Sequence, residues 1–316
     1  MSEPLIVLTG ASGRLGAGVH RALLDAGKNV RATDRFRPDP SGPPLIKANL
    51  LHPPTCRRIM EGAKVLIHLA YRREPFGYPN GYPVSTFDDH IRLNRHIFLA
   101  ACEAGIKKII FSSTVQIIAR QAPGLSGDNP PRYLPLDENS PTEPDNWYSL
   151  AKLCSEEMLA TLRRTHGIDY TVLRFPALVN TLPVPPGDWY KTRRSEAFSY
   201  LSYLDAAALI LKVIQADLPG ARTYFPASRK NLLGLTPAEV IRQYYPGIPL
   251  RVPAEQMQSL VDISTVTRDL GWEPQERSQP DGKPFMPLVW RIYWRTVKLV
   301  PKAMRPAVER ALVALE

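Results

Sequence analysis

The stretch Leu5-Ile6-Val7-Leu8-Thr9-Gly10-Ala11-Ser12-Gly13-Arg14-Leu15-Gly16 decides the fold of this chain of 316 residues. A short apolar run, Leu5 to Leu8, predicts a buried strand, and apolar residues at helical spacing after the glycines predict a helix that ends at Gly27. Glycines in the turn between them let the backbone approach a pyrophosphate at the helix N-terminus, where free N–H groups and the helix dipole favour anions. The stretch therefore predicts dinucleotide binding.

Strand and helix signals keep alternating after this opening. The predicted elements are strands at 29–33, 65–69, 109–111 and 170–174, and helices at about 91–104 and 148–159. This order predicts an α/β fold with a Rossmann-type, doubly wound parallel sheet. The proline-rich segment 119–147 is too interrupted for regular structure, and its length beside the site is typical of a lid.

Prolines after residue 175 indicate a change to a smaller C-terminal, substrate-binding lobe. We predict a dinucleotide-binding domain at 1–178, to which 200–225 return. The substrate-binding lobe is predicted at 179–199 and 226–282, and a basic amphipathic tail at 283–316.

Composition narrows the class of protein. The chain has 40 Lys and Arg against 30 Asp and Glu, a net charge of +10, which favours anionic partners without selecting one. No zinc-finger spacing or basic block interleaved with aromatics is present, so we predict no nucleic-acid binding. Three separated cysteines indicate reduced thiols and no metal site, and with no signal peptide or spanning run they predict a cytoplasmic protein.

Asp34 ends the second predicted strand, where an acidic side chain binds the adenosine ribose and repels a 2′-phosphate. This position predicts NAD over NADP as cofactor. Nearby basic residues weaken the preference, namely Arg14, Arg35 and Arg37. The alternative interpretation is that Asp34 only caps a turn.

Tyr148 and Lys152 form a Tyr-x-x-x-Lys pair on one face of a predicted helix. Tyrosine has a reference pKa of about 10, and a nearby ammonium stabilises its phenolate and brings it toward working pH. Thr114 ends a predicted strand at the carboxyl edge of the sheet, where its hydroxyl can hold a substrate oxygen.

Together these motifs resemble the extended short-chain dehydrogenase/reductases of the NAD-dependent epimerase/dehydratase family. The resemblance rests on the glycine turn, Asp34, Asn49-Leu50, His68-Leu69-Ala70, Ser112-Ser113-Thr114, the Tyr148/Lys152 pair, Asp262-Ile263-Ser264 and Leu270-Gly271-Trp272-Glu273-Pro274. It covers residues 5 to about 275 and implies a Rossmann-type fold with NAD as cofactor.

The resemblance also implies roles for individual residues. Tyr148 is the implied acid/base, Lys152 its partner on the nicotinamide ribose, and Thr114 the substrate-polarising hydroxyl. The implied cofactor-binding residues are Gly10, Ser12, Gly13, Arg14, Leu15, Gly16, Asp34, Arg35, Asn49, Leu50, Leu69, Ala70, Tyr71, Ser112, Tyr148, Lys152, Phe175 and Pro176. The predicted substrate-binding residues are Arg72, Thr114, Val115, Gln116, Tyr148 and Arg193.

One departure from the family lies on the helix before Ala104-Gly105. The family's Asn position falls on His90, with Asn94 one turn later, so we assign no catalytic Asn and interpret His90 as an ordinary helix residue. Gln116 and Ile118 depart from the family's usual serine-motif end, which predicts altered substrate contacts.

The predicted activity is hydride transfer between NAD and a small carbohydrate-like or anionic substrate. The short segment before Ser202-Tyr203-Leu204-Asp205 resembles compact members that oxidise free sugars or sugar acids more than nucleotide-sugar epimerases. Arg193 and Arg194 are anion-binding candidates there, or solvated loop charges. Two alternatives stay open: an epimerase or dehydratase that retains NAD, and a non-catalytic dinucleotide sensor.

The tail carries a basic stripe beside apolar surface, a pattern of helices that lie on anionic membranes and of helices that pack on protein. The basic residues are Arg291, Arg295, Lys298, Lys302 and Arg305. Peripheral membrane contact through the tail and packing against the protein or a second subunit are both open. The resemblance implies a homodimer.

Overall fold

The computed structural model describes residues 3–35, 43–71, 84–118, 129–180 and 193–277. In these ranges the strands are β1 Ile6–Thr9, β2 Val30–Asp34, β3 Ile46–Lys47, β4 Val65–His68, β5 Lys108–Thr114, β6 Asp169–Phe175, β7 Ala177–Val179, β8 Tyr200–Ser202 and β9 Ala221–Tyr224. The helices are α1 Arg14–Asp25, α2 Pro53–Met60, α3 Val84–Glu103, α4 Trp147–His166, α5 Tyr203–Gln215, α6 Pro237–Tyr244 and α7 Ser264–Leu270.

Seven of these strands form one parallel sheet in the order β3-β2-β1-β4-β5-β6-β9. The crossover from β1 through α1 leads to β2 on one side, whereas β4 lies on the other side of β1. Chain order therefore reverses beside β1, which is the switch point at which open α/β sheets bind ligands. The predicted doubly wound parallel sheet is confirmed.

Both faces of the sheet are buried, which explains the continuous apolar runs in its strands. Side chains alternate between faces along a strand, so Ile6 and Leu8 pack into one cluster with α1 and α5, whereas Val7 packs into the other. Phe98 of α3 and Phe111 of β5 fill that second cluster, and both are fully buried.

Beyond β6 the chain contributes to a second, smaller sheet. β7 pairs with β8 in parallel, and the chain then returns through α5 to β9 at the edge of the large sheet, where Tyr170 pairs with Ala221. The division into two lobes stays a prediction, and the predicted tail at 283–316 lies outside the described residues.

Two helices differ from their predicted bounds. α3 was expected from about residue 91 but includes Val84, because Thr86 and His90 of its early turns are buried and Phe87 packs on the ring of Trp147. α4 continues past the predicted end to His166 and stops at Gly167, whose left-handed conformation (φ 61°) terminates a helix.

Within the predicted loop 119–147, residues 129–146 contain no helix or extended strand. Two isolated bridges instead join Leu134 to Leu250 and Leu136 to Val261. Among the described residues, no helix combines the length and hydropathy needed to cross a membrane.

Two glycines of α1 provide a matched pair for a stability test. A Cβ on Gly16 would lie 1.9 Å from the carbonyl oxygen of Gly10, whereas a Cβ on Gly18 would meet only Ala207 at 4.0 Å. Gly16→Ala should therefore lower the free energy of unfolding by about 3 kcal/mol or more, since backbone must move. Gly18→Ala should raise it by about 0.5–1 kcal/mol through helix propensity. Urea unfolding of both variants measures this, and a stable Gly16→Ala protein would contradict the turn geometry.

Candidate active site

The glycine turn brings three pieces of backbone together at the switch point. Gly10 has φ +73°, and a Cβ there would lie 2.6 Å from the backbone nitrogen of Ala70 after β4. The Gly13 N–H donates to the Gly10 carbonyl at 3.1 Å, which closes the turn. Among the residues that the structure describes, no side chain caps the start of α1. Free N–H groups at this helix start and a glycine surface that admits close approach fit the pyrophosphate of a dinucleotide.

Asp34 is fixed at the end of β2 beside this turn. Its carboxylate accepts the Ser12 N–H at 3.0 Å and the Arg35 N–H at 2.6 Å. The turn-capping interpretation thus describes part of what Asp34 does. The hydrogen bond from the Ser12 N–H holds the carboxylate against the glycine turn, at the strand end where an acidic side chain is expected to meet an adenosine ribose.

Lys152 is buried at the carboxyl end of β5. It is 3% exposed, and its Nζ donates to the Ser112 carbonyl oxygen at 2.6 Å and lies 4.7 Å from the centre of the Phe111 ring. Burial lowers the pKa of Lys152 from 10.5 to about 7, and the carboxylate of Glu156 partly opposes this shift.

Tyr148 lies one turn before Lys152, within a group of aromatic rings. Its ring centre is 5.9 Å from Lys152 Nζ, 6.1 Å from the ring of Tyr71 and 5.7 Å from the ring of His90. The Asn146 side chain caps α4 by accepting the Ser149 N–H, which fixes where the helix starts. His90, 2% exposed, therefore contacts the candidate acid/base, a position that its interpretation as an ordinary helix residue missed.

Thr114 ends β5 and is 6% exposed. Its Oγ1 accepts the Gln116 N–H at 3.3 Å and caps a single 3-10 turn, Val115–Ile117, that packs against α4. The structure therefore places Thr114, Val115 and Gln116 on the same sheet edge as Lys152.

A buried ion pair links α4 to β6 next to Lys152. Glu156, one turn after Lys152, accepts from Arg174 of β6 at 2.8 Å and from the Ser113 hydroxyl at 2.5 Å. Arg174 also donates to the Glu138 carbonyl at 2.8 Å. Sequence reasoning assigned no role to Glu156, although its spacing from Lys152 on one helix face was the available signal.

The other predicted binding residues fall into three groups. Leu69, Ala70, Tyr71, Phe175 and Pro176 follow or end β4 and β6, at the edge that carries Thr114. Asn49 is exposed and its side chain accepts the Leu51 N–H, while Leu50 is buried. Arg193 donates to the fully buried Glu196 at 2.7 Å, and Arg72 and Arg37 lie outside the described residues.

The cysteines and acidic residues suggest no further chemistry. Cys56, Cys102 and Cys154 are free thiols. Within the ranges that the structure describes, no group of three His, Cys, Asp or Glu side chains could hold a metal ion.

The pKa of Lys152 predicts a pH-dependent stability. Between pH 7 and 10.5 the unfolded chain keeps the Lys152 proton and the folded protein loses it, so stability should rise with pH across this window. Below pH 7 both states are protonated and this contribution is constant. Lys152→Met removes the titrating amine while keeping a side chain of similar volume. The unfolding free energy of the cofactor-free wild type minus that of the variant should therefore climb from pH 7 to 10, and a flat difference would contradict a buried, titrating ammonium.

Two curated proteins are similar to part of this chain. UDP-glucose 4-epimerase of Azospirillum brasilense is 27% identical over 183 residues, 55% of this chain and 49% of the relative. Cinnamoyl-CoA reductase 1 of Petunia hybrida is 24% identical over 197 residues, 57% and 55% of the two chains. The match thus spans about half the length of these curated relatives.

Solved structures show the same fold. UDP-glucose 4-epimerase of Bifidobacterium longum, in complex with NAD+ and UDP, has a TM-score of 0.64 at 19% identity, over 86% of this chain and 94% of that one. Glucuronic acid dehydrogenase of Chromohalobacter salexigens has a TM-score of 0.62 at 18% identity, over 92% and 88%.

The sequence profile of one family matches residues 6–182, more than half of the chain. That span runs from β1 past β7 and includes the glycine turn, Asp34 and the Tyr148/Lys152 pair. The chain therefore belongs to the NAD-dependent epimerase/dehydratase family, whose cofactor is NAD.

Proposed function

We propose that the protein is an NAD-dependent oxidoreductase that transfers hydride between nicotinamide and a hydroxyl-bearing carbon of a small, carbohydrate-like substrate. The observation that carries this proposal is the buried Lys152 ammonium beside the Tyr148 ring, held by the Ser112 carbonyl at the sheet edge that binds ligands. A cation fixed in this way serves to stabilise a phenolate.

In the oxidative direction, the Thr114 hydroxyl holds the substrate oxygen while the Tyr148 phenolate accepts its proton. Lys152 stabilises the phenolate before the transfer, and proton release to solvent restores it afterwards. When bound, NAD+ would supply the hydride acceptor for this oxidation. The substrate carbon becomes a carbonyl, and in the reductive direction Tyr148 returns the proton.

The proposed substrate class rests on the length of the chain between β7 and β8. Between β7 and β8 the chain has too few residues for the long nucleotide-binding segment that we expect in nucleotide-sugar enzymes, which favours a free sugar or sugar acid. Arg193 and Arg194 lie in this short segment. One guanidinium N–H of Arg194 donates to the Tyr244 carbonyl, and one of Arg193 donates to Glu196. Binding of an anionic substrate by Arg193 or Arg72, a homodimer and a cytoplasmic location stay predictions.

An epimerase or dehydratase is the second candidate, and the similarity to an epimerase of Azospirillum brasilense favours it. Such an enzyme begins with the same oxidation and then returns the hydride to its substrate. A non-catalytic dinucleotide sensor would have no need for Thr114, Tyr148 and Lys152 at one sheet edge.

Tyr148→Phe tests the acid/base. The variant keeps the ring and its contacts but loses the group that takes the proton, so turnover should fall by about a hundredfold or more. NADH binding, measured by fluorescence, should change by less than about threefold because the ring contacts remain. Tyr170→Phe is the control, since Tyr170 lies near the start of β6, at the opposite end of the strand from the site. Full turnover in Tyr148→Phe would refute the mechanism.

Retained cofactor separates the two enzyme classes. The protein is purified without added cofactor and denatured, and released NAD and NADH are quantified by absorbance and mass spectrometry. For a dehydrogenase we expect little cofactor per chain, reversible NAD binding, and NADH production with some member of a panel of sugars and sugar acids. Near-stoichiometric NAD(H) would instead establish the epimerase or dehydratase alternative.

A further inference from the structure

A line of buried polar side chains crosses the protein from β1 to α4. The Thr9 hydroxyl lies 2.7 Å from His68 Nδ1, and His68 Nε2 lies 2.8 Å from Asn94 Oδ1. Asn94 Nδ2 lies 2.6 Å from the Ser155 hydroxyl, which lies 2.7 Å from the Ala151 carbonyl oxygen. All four side chains are at most 3% exposed, so water does not compete for these hydrogen bonds.

The backbone groups at the two ends determine the direction of every hydrogen bond. The Ala151 carbonyl can only accept, so Ser155 donates to it and accepts from the Asn94 amide nitrogen. Asn94 then presents its oxygen to His68 and requires a proton on Nε2. At the other end the Ala70 N–H donates to Thr9 Oγ1 at 3.4 Å.

His68 therefore carries a proton on Nε2, and in the neutral ring Nδ1 accepts from the Thr9 hydroxyl. Burial is the main reason that the pKa of His68 is lowered to about 3; the hydrogen bond to Asn94 opposes the shift, and the nearby Lys152 and His90 contribute to it. The ring is therefore uncharged near neutral pH. Phe98 packs edge-on against the ring at 5.4 Å and Phe111 stacks on it at 5.9 Å. The chain of hydrogen bonds thus keeps one direction across physiological pH.

Both ends of this chain lie on parts of the proposed active site. Ala70 is the residue whose backbone packs against Gly10 of the dinucleotide turn, and Ala151 directly precedes Lys152 on α4. We propose that this one-directional hydrogen-bond chain is a positioning device that sets the cofactor-binding edge of the sheet relative to the helix carrying Tyr148 and Lys152. Its members are Thr9, His68, Asn94 and Ser155.

The chain does not relay protons, because it passes through an amide nitrogen and ends on a carbonyl oxygen. His68 is a positioning residue that acts through its neighbours. The inference deepens the proposed function, but its tests need neither a substrate nor turnover, so either proposal can fail without the other.

The first test reads the tautomer of His68. Protein labelled with 15N-histidine is studied by long-range 1H–15N correlation from pH 5 to 9, with His68→Gln assigning its signals among the six histidines. We expect a protonated Nε2, an unprotonated Nδ1 and no titration. A proton on Nδ1, or titration within this range, would overturn the proposal.

The second test measures NADH binding by fluorescence titration at both ends of the chain. Thr9→Val and Ser155→Ala should each weaken NADH binding about fivefold, the worth of one net hydrogen bond. Thr9→Ser keeps the hydroxyl and should bind within about twofold of the wild type. The double variant should lose no more than about fivefold, since either change interrupts the same chain.

Ser155 provides the decisive comparison because its hydroxyl belongs to the far end of the chain. If Ser155 only supports packing, Ser155→Ala will lower the melting temperature and leave the NADH Kd unchanged. That result would refute the positioning role. Losses that multiply in the double variant would refute it too. If Thr9→Val does not fold, Ser155→Ala and the His68 tautomer decide the question alone.

Discussion

The close approach of three backbone segments around Gly10 is the constraint on which the site depends. A side chain at this position would overlap the backbone of Leu69 and Ala70, and one at Gly16 would overlap the Gly10 carbonyl. Only glycine lets the ends of β1 and β4 and the first turn of α1 meet at van der Waals distance. Because these ends meet where the chain order of the sheet reverses, N–H donors for a pyrophosphate and side chains from neighbouring strands face one crevice.

The electrostatics of the sheet edge follow from how each buried polar group is satisfied. Glu156 and Arg174 form a buried pair with additional hydrogen bonds from Ser113 and to Glu138, so the polar atoms of both side chains have partners away from water. Lys152 contacts a carbonyl and aromatic rings, and no carboxylate of the described residues lies within salt-bridge distance of it. Desolvation therefore dominates, and the pKa of Lys152 falls to about 7. Glu156 opposes that fall. The balance leaves Lys152 able to gain or lose its proton near neutral pH, whereas burial lowers the pKa of His68 to about 3 and leaves its ring neutral there.

The sequence was sufficient to predict features that depend on local pattern. The glycine turn and the Tyr148/Lys152 pair are each defined by residues a few positions apart, and each strand or helix by a short periodic run. The fold that they predict is confirmed. The contact of His90 with Tyr148 was missed because it joins two helices that are far apart in sequence. The hydrogen-bond chain from Thr9 to Ser155 was missed for the same reason, because its members lie on β1, β4, α3 and α4. In the sequence, each of them looks like an ordinary core residue.

The segment before α4 indicates how substrate specificity can vary while this site stays constant. Leu134 exchanges backbone hydrogen bonds with Pro249 and Arg251, and Leu136 does so with Leu260 and Asp262. Asp137, which also accepts from Tyr133, forms an ion pair with Arg251. The chain that leads into the Tyr148 helix is thus bonded to residues of the proposed substrate lobe, while Glu143 N–H is bonded to the carbonyl of Ile117 beside Thr114. Under the proposed function, changes in this lobe would alter the position of the substrate beside Tyr148 without disturbing the glycine turn. This arrangement explains why family resemblance identifies the cofactor far better than it identifies the substrate.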